Sequence, residues 1–147
     1  MGGFTTLKPK AIRDQIITTL IAADPKNDAG VGIKKWFKGE PPASRYPAFP
    51  FGWVEWDRGA TEPPVGTKTL FKDNFFIVVI DKSVNFEAAE DSVMDFVEST
   101  RTALKADPTI NSLVARSYVS NREKQKRFQG DYSIVAARVT LSTFRRE

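Results

Sequence analysis

The sequence contains no histidine and no cysteine, and these two absences remove most catalytic chemistry at the outset. Histidine is the side chain whose ordinary charge change falls near neutral pH, and it is the commonest metal ligand. Cysteine supplies thiolate nucleophiles, zinc ligands and disulfides. Ser-His-Asp and Cys-His arrangements are therefore impossible, as are the usual zinc sites. Long apolar runs are missing too: nothing approaches the ~20 consecutive apolar residues a membrane helix needs, so no membrane association is expected. The opening Met1 to Thr6 has neither the charged nor the apolar region of a signal peptide, and Gly2 with Thr6 matches a myristoylation motif only loosely. Internal repeats and low-complexity tracts are absent. So are both phosphate-cradling glycine patterns, since Gly30-Val31-Gly32 lacks a third glycine and a preceding strand.

What remains is the composition of a soluble globular protein. The chain has 147 residues, of which 41% are hydrophobic and 27% charged, a length that fits one domain spanning residues 1–147 with a core of its own. Eleven Phe and three Trp supply apolar surface enough to offset ordering entropy. The net charge is +4, from 22 basic and 18 acidic residues, a mild excess that permits an anionic partner without requiring one.

Hydrophobic periodicity divides the chain. Ile12, Ile16, Ile17, Leu20 and Ile21 form a broad apolar stripe at helical spacing, predicting a helix from about Lys8 to Ala23 that stops at Pro25. Residues 25 to 50 are irregular, with a short strand expected around Val31, Ile33, Trp36 and Phe37, and a proline-stiffened loop from Glu40 to Arg45. Tyr46, Phe49, Phe51, Trp53 and Trp56 then concentrate aromatic rings. Phe49, Phe51 and Trp53 alternate with Pro50 and Gly52, so their rings share one face of an extended segment. They either cover a sheet or form an exposed patch for a partner. Arg58 to Thr69 holds two Gly and two Pro residues and reads as a loop between strands.

Phe75 to Ile80 is a continuous apolar run, expected to be buried on both faces at the centre of the sheet. Phe86, Ala89, Val93, Phe96, Val97, Thr100 and Leu104 then recur at three- and four-residue steps, predicting a helix from Phe86 to Ala106 with Asn85 as N-cap. Leu113–Ser120 and Tyr132–Phe144 alternate with the period of half-buried antiparallel strands. The segment between them, Asn121 to Asp131, is longer than the roughly 2–5 residues of an ordinary hairpin loop, and strongly basic. Either the strands extend as an arm or the tip is mobile. The expected fold is α+β: a mainly antiparallel sheet of four to five strands, two helices packed on one face, and a long basic C-terminal hairpin.

Chemistry has few places to sit. Glu55 and Asp57, two apart on a strand, would point to one side, and Glu87, Glu90 and Asp91 cluster on a helix turn. Neither set has a neighbour to separate its members' proton affinities, as acid–base catalysis needs. No catalytic, metal or cofactor-binding residues are expected, and no cofactor. The basic arm is the best candidate. From Val114 to the end, eight basic residues face three acidic ones, so the rest of the chain is close to neutral. Such a cluster can neutralise phosphates, with Tyr118 or Phe128 stacking on bases. It can equally dock into an acidic groove on a neighbouring subunit, or simply keep a hairpin tip soluble and unaggregated.

The order of these pieces resembles the tail terminator (tail completion) proteins of long-tailed bacterial and archaeal viruses. The likeness is carried by the opening helix around Ala11 to Ile17, the proline-led strand Tyr46 to Glu55, the strand Phe75 to Asp81 feeding the helix Phe86 to Ala106, and the closing Gly130 to Val139. It covers most of the chain as a pattern, without a signature motif, and does not account for Asp24 to Arg45 or the basic arm. The resemblance implies a structural subunit at the tail–head junction of a virion, assembled in the host cytoplasm. Self-association into a ring, a hexamer by that likeness, would cap the tail tube protein and accept a head connector or neck protein. Arg122, Lys124, Lys126 and Arg127 on the arm, with Arg45 and Arg58 on the proline-rich loops, are the expected subunit or partner contacts. A nucleic-acid-binding module using the same arm is the alternative.

Overall fold

In the computed structural model, described for residues 9–65, 68–129 and 131–146, and for side chains other than those of 60–70, 121, 122, 125–129 and 146, five strands form one sheet. Helix α1 spans Pro9–Ala23, β1 Trp36–Lys38, β2 Phe51–Val65 and β3 Lys68–Ser83. Helix α2 spans Phe86–Lys105, β4 Arg116–Gln129 and β5 Tyr132–Arg146. The sheet order is β1-β2-β3-β5-β4, antiparallel except for the short parallel pairing of β1 with β2. The expected α+β class and the central place of the Phe75–Ile80 run, within β3, both hold.

Each helix forms where the apolar period dictates. Ile12, Ile16, Ile17 and Leu20 of α1 are buried, but Ile21 falls off the stripe and is 59% exposed. On α2, Ala89, Val93, Phe96, Val97, Thr100 and Leu104 are all buried, and Phe86 is half-buried. The Asn85 side chain accepts hydrogen bonds from the backbone N–H groups of Glu87 and Ala88, closing the exposed first turn. Both helices cover one sheet face, packing on Val54, Phe75, Ile77, Val79, Val135, Ala137, Val139 and Leu141. The irregular stretch after α1 is tied to α2: Asn27 donates to Ser92 Oγ at 3.0 Å, and Ser92 donates to Asp81 Oδ2 at 2.6 Å.

Three sequence expectations need correction. Within Arg58 to Thr69, the described residues 58–65, 68 and 69 are strand and not loop: β2 and β3 stay paired from Phe51↔Ile80 to Val65↔Lys68, with a register shift between Glu62 and Val65. Pro63 and Pro64 fit because both fall in that register shift, where neither has a partner in β3, and because β1 pairs only with Gly52, Trp53 and Val54, so no ladder on either side needs their missing N–H groups. The first short strand is confined to Trp36–Lys38, without Val31 or Ile33. The strand predicted from Leu113 begins instead at Arg116, because Ile110, Asn111 and Ser112 take positive φ and turn the chain, with Ile110 and Val114 buried beneath them. Between the two alternatives for the basic connection, the strands extend: β4 runs to Gln129 and pairs there with Tyr132 of β5.

Strand length sets the shape. At ~3.4 Å per residue a 15-residue strand such as β2 spans about 50 Å, whereas the 20 residues of α2 span about 30 Å. The β2–β3 hairpin runs on to Val65↔Lys68, beyond Phe75, the last β3 residue of the helix-covered core in that direction. The β4–β5 tip, by contrast, lies level with the end of β3, where Ser83 pairs with Ser133 three residues before α2 begins.

Candidate functional site

The sheet face turned away from the helices is where residues outside the main core gather. Alternation along β2 sends Phe51 and Trp53 to this face, where they are buried with Val78, Ile80 and Ile134. The segment ahead of β2 folds over them. A short 3-10 helix at Ala43–Arg45 brings Tyr46 to 4.9 Å from the Phe51 ring, with Phe49 at 5.2 Å and Phe37 at 5.8 Å. The aromatic concentration seen in the sequence is thus mainly a lid on the second sheet face. Trp56 is the exception, 49% exposed on the outside.

Beside this lid lies a groove of about 230 Å³ with an apolar floor that includes Trp53, Val78, Ile134 and Ala136. Its charged groups among the described residues are Glu40, Glu55, Glu123 and Arg138. Arg138 is committed within the chain: it donates to Glu123 and its guanidinium lies 4.0 Å from the Phe76 ring centroid. Glu55 accepts from the Trp53 indole N–H at 3.1 Å. Glu40 is exposed, with no ion pair among the described residues. Three carboxylates over one engaged guanidinium make this groove acidic. They do not converge as a metal site: among the described residues no group of three acidic side chains is placed to hold an ion.

The same face carries the opposite charge toward the start of β4. Arg116 lies 4.8 Å and Lys72 5.7 Å from the Phe144 ring centroid, and Tyr118 stacks on that ring at 5.7 Å and 17°. Tyr118 is 49% exposed.

Three of the predicted contact residues have described side chains. Arg45 ends the 3-10 helix and is exposed. Arg58 is at a bulge in β2, its side chain 79% exposed and 3.6 Å from Asp57. Lys124 folds back on α2, 2.6 Å from Glu90 and 5.6 Å from the Phe86 centroid. Arg122, Lys126 and Arg127 have backbone positions in β4, but their side chains lie outside the described residues. Among the three whose side chains are described, Arg45, Arg58 and Lys124, no contact brings any two together. Nor do the carboxylate pairs assemble. The bulge between Trp56 and Arg58 interrupts the alternation that was to align Glu55 with Asp57, and Glu90 is taken by Lys124.

Two features went unseen in the sequence. The acidic groove joins Glu40, Glu55 and Glu123 from three distant segments, and no local signal marks it. The other is a buried pair, Asp73 and Arg145, with 3.7 Å between Arg145 Nε and Asp73 Oδ2. It sits where β3 and β5 lie side by side, and the alternating pattern of β5 offered the one hint, a charge among buried positions.

Comparisons with known proteins add little to this geometry. No protein family matches the sequence, and neither does any curated protein. Among solved structures, the chain is similar over 90% of its length to 90% of a chain from the virion of a native gene transfer agent particle, at 10% identity and a TM-score of 0.37. A TM-score at that level says nothing about what this chain does.

Proposed function

We propose that this chain is a non-enzymatic structural subunit of a virus-like particle, a tail terminator that acts in a ring to cap the tail tube and join it to the head connector. The observation that supports this reading is the overhang. The β2–β3 hairpin, paired out to Val65↔Lys68, runs past Phe75, the last β3 residue of the helix-covered core in that direction, a long paired extension of the sheet. Such an extension suits a subunit whose neighbours complete it. The sequence resemblance points the same way, and the described residues present no convergent acid, base and nucleophile. In this reading the mechanism is geometric: surfaces that fit the last tube ring stop its growth and then accept the connector.

The test is deletion of the gene in cells that produce the particle, read by electron microscopy. Tails that fail to join heads, restored when the protein is supplied, are expected; normally joined particles without it would overturn the proposal. Replacing Arg122, Lys124, Lys126 and Arg127 with Ser or Gln is expected to leave a folded monomer that joins heads to tails poorly.

A second reading has one observation in its favour, the exposed Tyr118 ring flanked by Arg116 and Lys72 around Phe144. Cations beside an open ring are the elements of a single-strand binding surface. That reading requires oligonucleotide binding that weakens steeply with salt.

A further inference from the structure

The groove over Trp53 and strand β4 carry opposite charge, and both belong to every copy of the chain. Among the described residues the charged lining of the groove is Glu40, Glu55 and the Glu123–Arg138 pair, a net excess of two carboxylates. Strand β4 holds Arg116, Arg122, Lys124, Lys126 and Arg127. Lys124 is paired to Glu90, and the one acidic residue of the strand, Glu123, is turned to the groove of its own copy and paired with Arg138. It is an edge strand, paired with β5 on one side only. We propose that the groove of one copy receives the β4 edge of a second copy, a head-to-tail contact between unlike surfaces. This deepens the ring reading above and rests on it.

The groove suits a cationic side chain better than other ligands. Its floor of Trp53, Val78 and Ile134 can bury the aliphatic stem of a lysine or arginine while the carboxylates at the rim meet the charged head. Arg138 does not compete for an incoming anion, because it is held by Glu123 and Phe76. Phosphate groups would meet Glu40 and Glu55, which disfavours nucleic acid in this groove. Two carboxylates there remain for an incoming cation: Glu40 has no ion pair among the described residues, and Glu55 is held only by the indole N–H of Trp53. A contact between unlike patches leaves one free groove and one free strand at the ends of any open chain, so it either closes into a ring or continues as a filament.

The experiment is sedimentation analysis of the purified full chain over a wide concentration range, at low and high salt. Wild type is expected to self-associate, less so at high salt. Two charge-reversed variants are compared: Glu40→Lys with Glu55→Lys in the groove, and Lys126→Glu with Arg127→Glu on the strand. Each is expected to weaken association about tenfold or more, since like charges then face each other. Mixing the two variants is expected to restore it, because each mutated patch now finds its complement on the other chain. Glu40→Gln with Glu55→Gln, a milder change, is expected to weaken association while keeping the wild-type circular dichroism and unfolding midpoint.

A wild type that stays monomeric throughout would overturn the contact, as would reversed variants that associate like wild type, or a mixture that fails to recover. None of those results bears on the deletion experiment, in which heads and tails can still depend on the protein through other surfaces.

Discussion

Removing the arginine alone from the buried Asp73–Arg145 pair is expected to cost far more than removing both side chains. The two side chains are only 6% and 9% exposed, and 3.7 Å separates Asp73 Oδ2 from Arg145 Nε. That carboxylate oxygen accepts no hydrogen bond, so the guanidinium charge is what compensates it. The other oxygen accepts from the Trp56 indole at 3.2 Å, and it occupies space left open by Gly59, where an added Cβ would lie 2.6 Å from it. The Arg145 guanidinium also lies 4.7 Å from the Phe71 centroid. Arg145→Met takes the guanidinium away from a buried carboxylate and is expected to lose about 3–5 kcal/mol, the usual cost of leaving a buried charge uncompensated. Asp73→Leu takes the carboxylate from the guanidinium and is also expected to destabilise, by more than about 1 kcal/mol. The double variant puts two apolar side chains of similar volume in the same space and is expected to fall within about 1–2 kcal/mol of wild type. Trp56 is half exposed, so water can replace its lost acceptor. Urea unfolding followed by tryptophan fluorescence measures all four corners of this cycle. Single losses below about 1 kcal/mol that simply add in the double variant would refute the reasoning, and would mean that the pair is solvated and weak.

Two further outcomes concern local geometry. Gly52→Ala would place a Cβ 2.8 Å from the Val78 carbonyl oxygen and 2.6 Å from Trp36 Cζ3. The backbone oxygen cannot yield cheaply, so about 1–3 kcal/mol should be lost, read as a lower thermal midpoint. Asn85→Ala removes the acceptor for two backbone N–H groups, at 2.9 and 3.4 Å, and should cost about 1 kcal/mol. Asn85→Asp should retain most of that stability in the same unfolding assay, since a carboxylate caps equally well.

By itself the sequence determined the elements whose apolar pattern is strong and local. The stripe from Ala89 to Leu104 could only be a one-sided helix, and its cap, Asn85, was legible four residues before it. The run Phe75–Ile80 had no polar face to show water, so it had to lie mid-sheet. Alternation at Phe49, Phe51 and Trp53 announced that these rings share a side. Tertiary structure decided what depends on partners far along the chain. Whether Arg58 to Val65 is loop or strand turned on a ladder supplied by β3, because prolines forbid pairing on one side only. Glu40, Glu55 and Glu123 look like ordinary surface carboxylates until β2 and β4 are set across the sheet from each other. Asp73 and Arg145 lie 72 positions apart and meet because β3 and β5 pair in one register. Local pattern fixes which side a residue shows; only the pairing of distant strands fixes which charges it faces.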